Sequence, residues 1–280
     1  MKIPILYEDK NILAINKPAG LLVHPSAASK KEPTLIDWIL KNYPNIKGVG
    51  ESMKMPDGAE IEKDGIVHRL DKDTSGVMLI AKNQKTFLFL KKQFAASSAD
   101  LAERKKIDSA PSLGRYSSMQ NDYGSGEEKK TNIKPIQKTY MAIVWGHVKN
   151  DKGKIDMPIG RSPSTGHFLS GRGVRGKMRE ALTEYRVIKR FNNEEGGNEK
   201  FTLLDVKPKT GRTHQIRVHM KFANYPIVCD PIYATKTVCP ILGIDRLALH
   251  ALSVEFYLTP AKKMKIEAPL PEDFKKAAGM

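Results

Sequence analysis

Gly65-Ile66-Val67-His68-Arg69-Leu70-Asp71-Lys72-Asp73-Thr74-Ser75-Gly76-Val77-Met78-Leu79-Ile80-Ala81 sets apolar runs on either side of a short polar turn. Runs this continuous read as strands covered on both faces, because half-exposed strands alternate apolar with polar. The stretch predicts a strand-turn-strand unit deep in the fold, with Asp71 at the end of its first strand. Working outward, alternation over residues 5–7 and 12–15 about Asp9-Lys10-Asn11 predicts a hairpin. Residues 35–40 have helical spacing behind a Thr34 cap, and Pro44 stops that helix. Residues 48–64 read as a loop. Asn83 is the expected N-cap of a helix over 84–94.

Residues 95–134 carry many Ser, Lys, Asp, Glu and Gly and few large apolar side chains, so they are expected to form a flexible insertion. Strand patterns return over 139–145, 183–191 and 201–206, the last two paired antiparallel about Gly196-Gly197. A helix is expected over 213–223 behind a Thr213 cap, and a strand over 247–258. Strands outnumber helices and do not alternate regularly with them. The predicted fold class is therefore α+β, a mixed, largely antiparallel sheet flanked by helices and loops, in a single domain over 1–280.

Lys and Arg total 47 against 31 Asp and Glu, a formal charge of +16 that favours a polyanionic partner. No apolar run approaches the roughly 18 residues that a membrane span needs. The opening Met-Lys-Ile-Pro-Ile-Leu is not a secretory signal, so a cytoplasmic protein without membrane contact is expected. Cys229 and Cys239 are too few for a disulfide framework and lack zinc-ribbon spacing; they are expected to be inert, reduced thiols. Gly-x-Gly-x-x-Gly occurs at Gly171-Arg-Gly-Val-Arg-Gly176, but no strand precedes it and no helix follows, which removes a dinucleotide site. A calcium loop starting at Asp71 fails at its twelfth position, where Lys82 replaces the bidentate Glu.

Two polar clusters remain. His68-Arg69-Leu70-Asp71 with Thr74-Ser75-Gly76 places carboxylates on a rigid scaffold, as a nucleophile or general base requires; turn capping alone is the other reading. Thr210-Gly211-Arg212-Thr213-His214-Gln215-Ile216-Arg217-Val218-His219 stands at a helix start, where free N–H groups and the dipole favour anions. His214 and His219 are five apart and fall on different helix faces, so no metal site is expected. Lys17 and His24 suit either RNA contact or turn stabilisation. His250, in an apolar strand, reads as a hydrogen-bonded core histidine.

Together these stretches resemble the RluA family of pseudouridine synthases. The landmarks run in order: Asn16-Lys17-Pro18-Ala19-Gly20-Leu21-Leu22-Val23-His24-Pro25, His68-Arg69-Leu70-Asp71, Lys138-Thr139-Tyr140-Met141-Ala142, Gly211 to His219, Asp230-Pro231-Ile232-Tyr233, and Arg246-Leu247-Ala248-Leu249-His250-Ala251. The resemblance implies an isomerase acting on uridine in structured RNA, ribosomal before transfer RNA, with a central RNA-binding cleft. It implies Asp71 as the catalytic carboxylate, Tyr140 as the ring that stacks on uracil and a candidate for removing the C5 proton, and Arg217 as the cation paired with Asp71. His68, Arg69, Leu70, Thr74, Lys138, Arg212, His214, Gln215 and Ile216 are the implied RNA contacts, Arg69 entering the gap left by the flipped base. No cofactor, metal or protein partner is implied, and a monomer is expected. The landmarks begin within the first twenty residues, so no separate N-terminal RNA-binding module is expected. Residue types leave open whether Asp71 attacks the base, attacks C1′ or takes a ribose proton. A non-catalytic RNA-binding or chaperone relative of the same fold, and a metal-dependent RNA hydrolase, are the alternative functions.

Overall fold

The computed structural model describes residues 1–25, 32–54, 58, 60–108, 134–171, 174, 178–193, 197–234 and 237–280. The chain opens with β1 (Ile5–Glu8) and β2 (Ile12–Lys17), turned by Asp9, whose carboxylate accepts from the N–H groups of Asn11 and Ile12. Helix α1 (Leu35–Asn42) follows behind a capping box in which Thr34 and Asp37 satisfy each other's backbone N–H groups. A 3-10 turn (Pro44–Ile46), the small hairpin β3 (Ser52–Lys54) and β4 (Glu60–Glu62), and β5 (Ser75–Ala81) come next. Helix α2 (Gln84–Asp108) is started by Asn83, whose side chain accepts from the Thr86 N–H. Then come β6 (Gln137–Trp145), β7 (Lys152–Asp156), β8 (Ile159–Arg161), β9 (Phe168–Ser170), β10 (Leu182–Asn192), β11 (Lys200–Pro208), α3 (Gln215–Phe222), β12 (Leu249–Thr259), β13 (Lys262–Glu267) and α4 (Glu272–Ala278).

Nine strands form one sheet in the order β1-β2-β5-β12-β6-β11-β10-β7, with β13 also on β12. Every pair is antiparallel except β5 with β12. The mixed, largely antiparallel α+β class is therefore what the chain adopts. All seven residues of β5 are buried, as its unbroken apolar run requires. Met78 and Ile80 pack with Leu35, Ile36 and Ile39 of α1, while Val77 and Leu79 pack on the opposite face with Leu90 of α2. A separate core joins β6, β11 and β12 to Ile216 and Met220 of α3 and Phe274 of α4.

Several local expectations change. Residues 65–70 do not form a strand; a lone bridge pairs Ile66 with Ile80, and beyond it the Leu79 N–H donates to His68 Nε2 instead of to a neighbouring backbone. Asp71 thus stands in a loop before β5 rather than at a strand end. Helix α2 continues past 94 to Asp108, through the first part of the expected insertion, whose remainder over 109–133 lies outside the described residues. Helix α3 is entered by His214 in the left-handed conformation, φ 54°, and Thr213 does not cap it. The expected loop between Gly160 and Met178 contains nearly all of the β8/β9 pair, so a strand does precede Gly171; most of the Gly-x-Gly-x-x-Gly stretch lies outside the described residues, as does Gly196. Cys229 and Cys239 are not free thiols but form a disulfide, their Cα atoms 5.3 Å apart across the turn that follows α3. Sequence spacing alone carries no information on that approach.

Candidate active site

One row of registered residues crosses the sheet: Lys17 opposite Gly76, Gly76 opposite Ala251, Ala251 opposite Tyr140, and Tyr140 opposite Val206. Gly76 makes that row possible. Its φ is +116°, and a Cβ there would stand 2.2 Å from the Ala251 carbonyl oxygen, so only glycine lets β5 and β12 come together. The row sets Tyr140 beside the loop that carries Asp71. Lys17 anchors the same loop from below: its side chain is fully buried, and Nζ donates to the carbonyls of Pro18, Leu21 and Lys72 at 2.8 to 2.9 Å. Burial lowers its pKa to about 8 against the pull of Asp73 and Asp71. Of the two readings open for Lys17, turn stabilisation is the one its bonds serve.

Above this row lies a cavity of about 300 Å3, at the small end of ligand sites. Every residue that the resemblance marks as catalytic or RNA-contacting lines it, whereas Lys17 and His24 do not. The Asp71 side chain is 19% exposed, and Arg217 Nη1 and His214 Nε2 approach its Oδ2 at 3.6 and 4.0 Å. Among the described residues no donor hydrogen-bonds to that carboxylate, so its lone pairs face the cavity. Burial, then the Asp71 charge, raises the Tyr140 phenol well above the usual tyrosine value, so it stays protonated. A protonated phenol suits stacking and donating, and is a poor base.

The remaining residues divide by what holds them. His68 is stacked on Phe94 of α2, ring centroids 4.6 Å apart, and burial lowers its pKa to about 3, which keeps the Leu79 acceptor neutral. Gln215 is committed on both sides: Oε1 accepts from Thr210 Oγ1 and the Arg212 N–H, and Nε2 donates to the Leu182 carbonyl and Thr183 Oγ1. Leu70, Thr74 and Ile216 are buried walls. Lys138 donates to the Thr210 carbonyl and Arg212 to that of Glu180, while Arg69 is exposed at the rim. Burial, then Arg212, lowers the Lys138 pKa to about 8. His219, not at the cavity, is fixed between Thr183 Oγ1 and the Met157 carbonyl, and His250 Nδ1 meets Ser75 Oγ at 2.8 Å, a core histidine as expected.

Three participants carry no role in the sequence reading. Phe94 reads as an ordinary apolar position of α2. Asp230 and Tyr233 stand in a recognised landmark, yet nothing in their spacing says that they reach across to Arg217. Its guanidinium is 3% exposed; Nε and Nη2 each donate to Asp230 at 2.8 Å, and its Cζ lies 5.2 Å from the Tyr233 ring centroid. The cation expected to pair with Asp71 therefore makes its hydrogen bonds to Asp230.

Among the described residues no three His, Cys, Asp or Glu side chains gather as a metal site, and no helix is long and apolar enough to cross a membrane.

A family model described as RNA pseudouridylate synthase matches residues 11–106 and 125–222. The ribosomal large subunit pseudouridine synthase D of Borreliella burgdorferi is 35% identical over 97% of this chain and 66% of its own length. The protein of that name from Pseudomonas aeruginosa is 35% identical over 98% of this chain and 70% of its own. The dual-specificity RNA pseudouridine synthase RluA of Vibrio parahaemolyticus is 31% identical over 90% of this chain and 77% of its own. The chain thus spans about two thirds of the length of the first of these relatives. Among solved structures, the human RNA pseudouridylate synthase domain-containing protein 4 superposes with a TM-score of 0.62 at 23% identity, over 98% of this chain and 91% of that one, which speaks for the fold. With the family model covering both the Asp71 loop and the α3 entry, and relatives aligned along nearly the whole chain, this protein belongs to the RNA pseudouridylate synthase family, in its RluA branch.

Proposed function

We propose that this protein isomerises uridine to pseudouridine in structured RNA, ribosomal in preference to transfer RNA, with Asp71 as the essential carboxylate. The observation that carries this reading is the Asp71 carboxylate facing a nucleotide-sized cavity with its lone pairs uncommitted, beside a buried cation and a neutral phenol. In the net reaction the N1–C1′ bond breaks, the detached base turns, and a C5–C1′ bond forms. The C5 proton leaves and N1 gains one, so formula and redox state are unchanged. The chemistry asks the protein only to hold a flipped base, let it turn, and offer one reactive carboxylate.

In this reading Tyr140 stacks on the uracil, offsetting part of the few kcal/mol that flipping costs. Arg217 supplies positive charge near Asp71, and the His214 imidazole, whose pKa burial lowers, stands beside it. Arg69, exposed at the rim, enters the gap the uridine leaves, and Lys138 and Arg212 face phosphates. The protein acts as a monomer in the cytoplasm, and the basic surface of its catalytic domain meets the RNA, with 95–134 as an insertion within that domain.

Tritium release from ribosomal RNA labelled at uracil C5 tests the assignment. Wild type is expected to release tritium with or without chelator and Asp71→Asn to release none. Equal release by both refutes Asp71, and strand cleavage in place of release points to a hydrolase.

A further inference from the structure

Asp71 has two partners that do not quite reach it, and one short segment holds both. Asp230 binds the side edge of the Arg217 guanidinium through two bonds of 2.8 Å, leaving only Nη1 directed at Asp71, 3.6 Å away. The Asp230 side chain is fully buried, and its Oδ1 also accepts from the N–H groups of Ile232 and Tyr233, so it cannot swing toward the cavity. Tyr233 completes the brace: its ring lies under the guanidinium and its hydroxyl meets His214 Nδ1 at 3.0 Å, fixing the imidazole whose Nε2 is 4.0 Å from Asp71.

A carboxylate that has to attack carbon or take a proton needs a free lone pair. A direct guanidinium hydrogen bond, at about 2.7–2.9 Å, would occupy that pair and stabilise the resting state. A cation held just beyond that range still supplies attraction. We infer that Asp230 and Tyr233 are positioning residues that hold Arg217 and His214 beside Asp71 but out of hydrogen-bonding contact with it, leaving its carboxylate reactive. This rests on Asp71 being the catalytic carboxylate.

The experiment compares wild type, Asp71→Asn, Asp230→Asn and Tyr233→Phe in the full chain, using ribosomal RNA labelled at uracil C5. Rates are taken across RNA concentrations, and crystal structures are determined for the folded variants. Asn matches Asp in shape but removes the competing charge, so Arg217 should move into hydrogen-bonding distance of Asp71. kcat is expected to fall about 100-fold, as for a misplacement near 1 Å, with KM little changed. Tyr233→Phe keeps the ring and Asp230 and loses only the bond to His214; a fall in kcat of about tenfold with KM unchanged is expected. Wild-type kcat in a folded Asp230→Asn, or an Arg217 that stays away from Asp71 in it, overturns the inference. If loss of a buried charge leaves Asp230→Asn unfolded, Tyr233→Phe decides alone, and wild-type kcat there overturns it. Activity in Asp71→Asn instead removes the reading on which the inference rests.

Discussion

Tyr140 has two separable properties, a flat ring and a hydroxyl whose proton is held tightly because burial and the nearby Asp71 charge disfavour the phenolate. In the proposed function, binding of a flipped base draws on the ring. Tyr140→Phe should hold RNA about as well as wild type, whereas Tyr140→Leu should weaken it by about 1–3 kcal/mol, roughly 5- to 150-fold in Kd. Equilibrium binding to a ribosomal RNA fragment measures both; a Leu variant that binds like wild type would remove the stacking role. The same position shows what a residue-level reading rests on. Tyr140 is picked out by the family resemblance that Lys138-Thr139-Tyr140 carries, whereas the Asp71 loop is visible as charge between apolar runs. Asp230 is different, because its meaning depends on a guanidinium thirteen positions earlier in the chain, folded back on it. Buried ion pairs between elements leave no periodic trace, so composition and spacing cannot assign them.

At the level of elements, the parallel contact of β5 with β12 is the joint on which the site's geometry turns. It spans only Ser75–His250 and Gly76–Ala251, yet it places the Asp71 loop against the strand that neighbours Tyr140. Gly76→Ala should cost about 3 kcal/mol, combining a forbidden backbone region with overpacking against Ala251, and should depress activity along with stability. Urea denaturation checks this; a loss below about 1 kcal/mol would mean the two strands tolerate more separation than the row implies. Alternation and caps made β1, β2, α1, β6, β10, β11 and β12 legible, because each is decided by residues within a few positions. Elements set by tertiary partners were not. Residues 65–70 look like a strand, but the His68 side chain takes the Leu79 N–H that a strand would have used. Strand β13 alternates charge with little apolar content, and α4 is anchored chiefly by Phe274 and Ala278 on a core built elsewhere, so neither carries a strong local signal.

Taken as a whole, the molecule encloses neutral histidines and carries a cationic surplus, and each has a solution signature. Burial first, then nearby cations, lowers the pKa of His24 to about 4, His68 to about 3 and His250 to about 4, from 6.5. The unfolded chain therefore binds more protons than the folded one in that window. The stabilisation from these groups is complete above about pH 6.5 and is lost as the pH falls toward 3 to 4. Urea midpoints should fall steadily from pH 6.5 to 4.5, and a flat profile would mean these histidines are not buried neutral. The surplus of +16 acts on binding rather than on folding. Each phosphate neutralised by Lys or Arg releases condensed counterions, so the logarithm of RNA affinity should fall linearly with the logarithm of salt; a footprint of about 6–10 phosphates loses roughly 10³- to 10⁵-fold in affinity between 50 and 200 mM. Arg212→Gln, which removes one cation from the cavity wall, should lower the steepness of that line by about 1. Arg69→Ala should weaken binding mainly through lost stacking in the opened helix and change the slope less. An affinity that does not move with salt would mean that RNA is held by the cavity alone, and that the basic surface around it plays no part in capture.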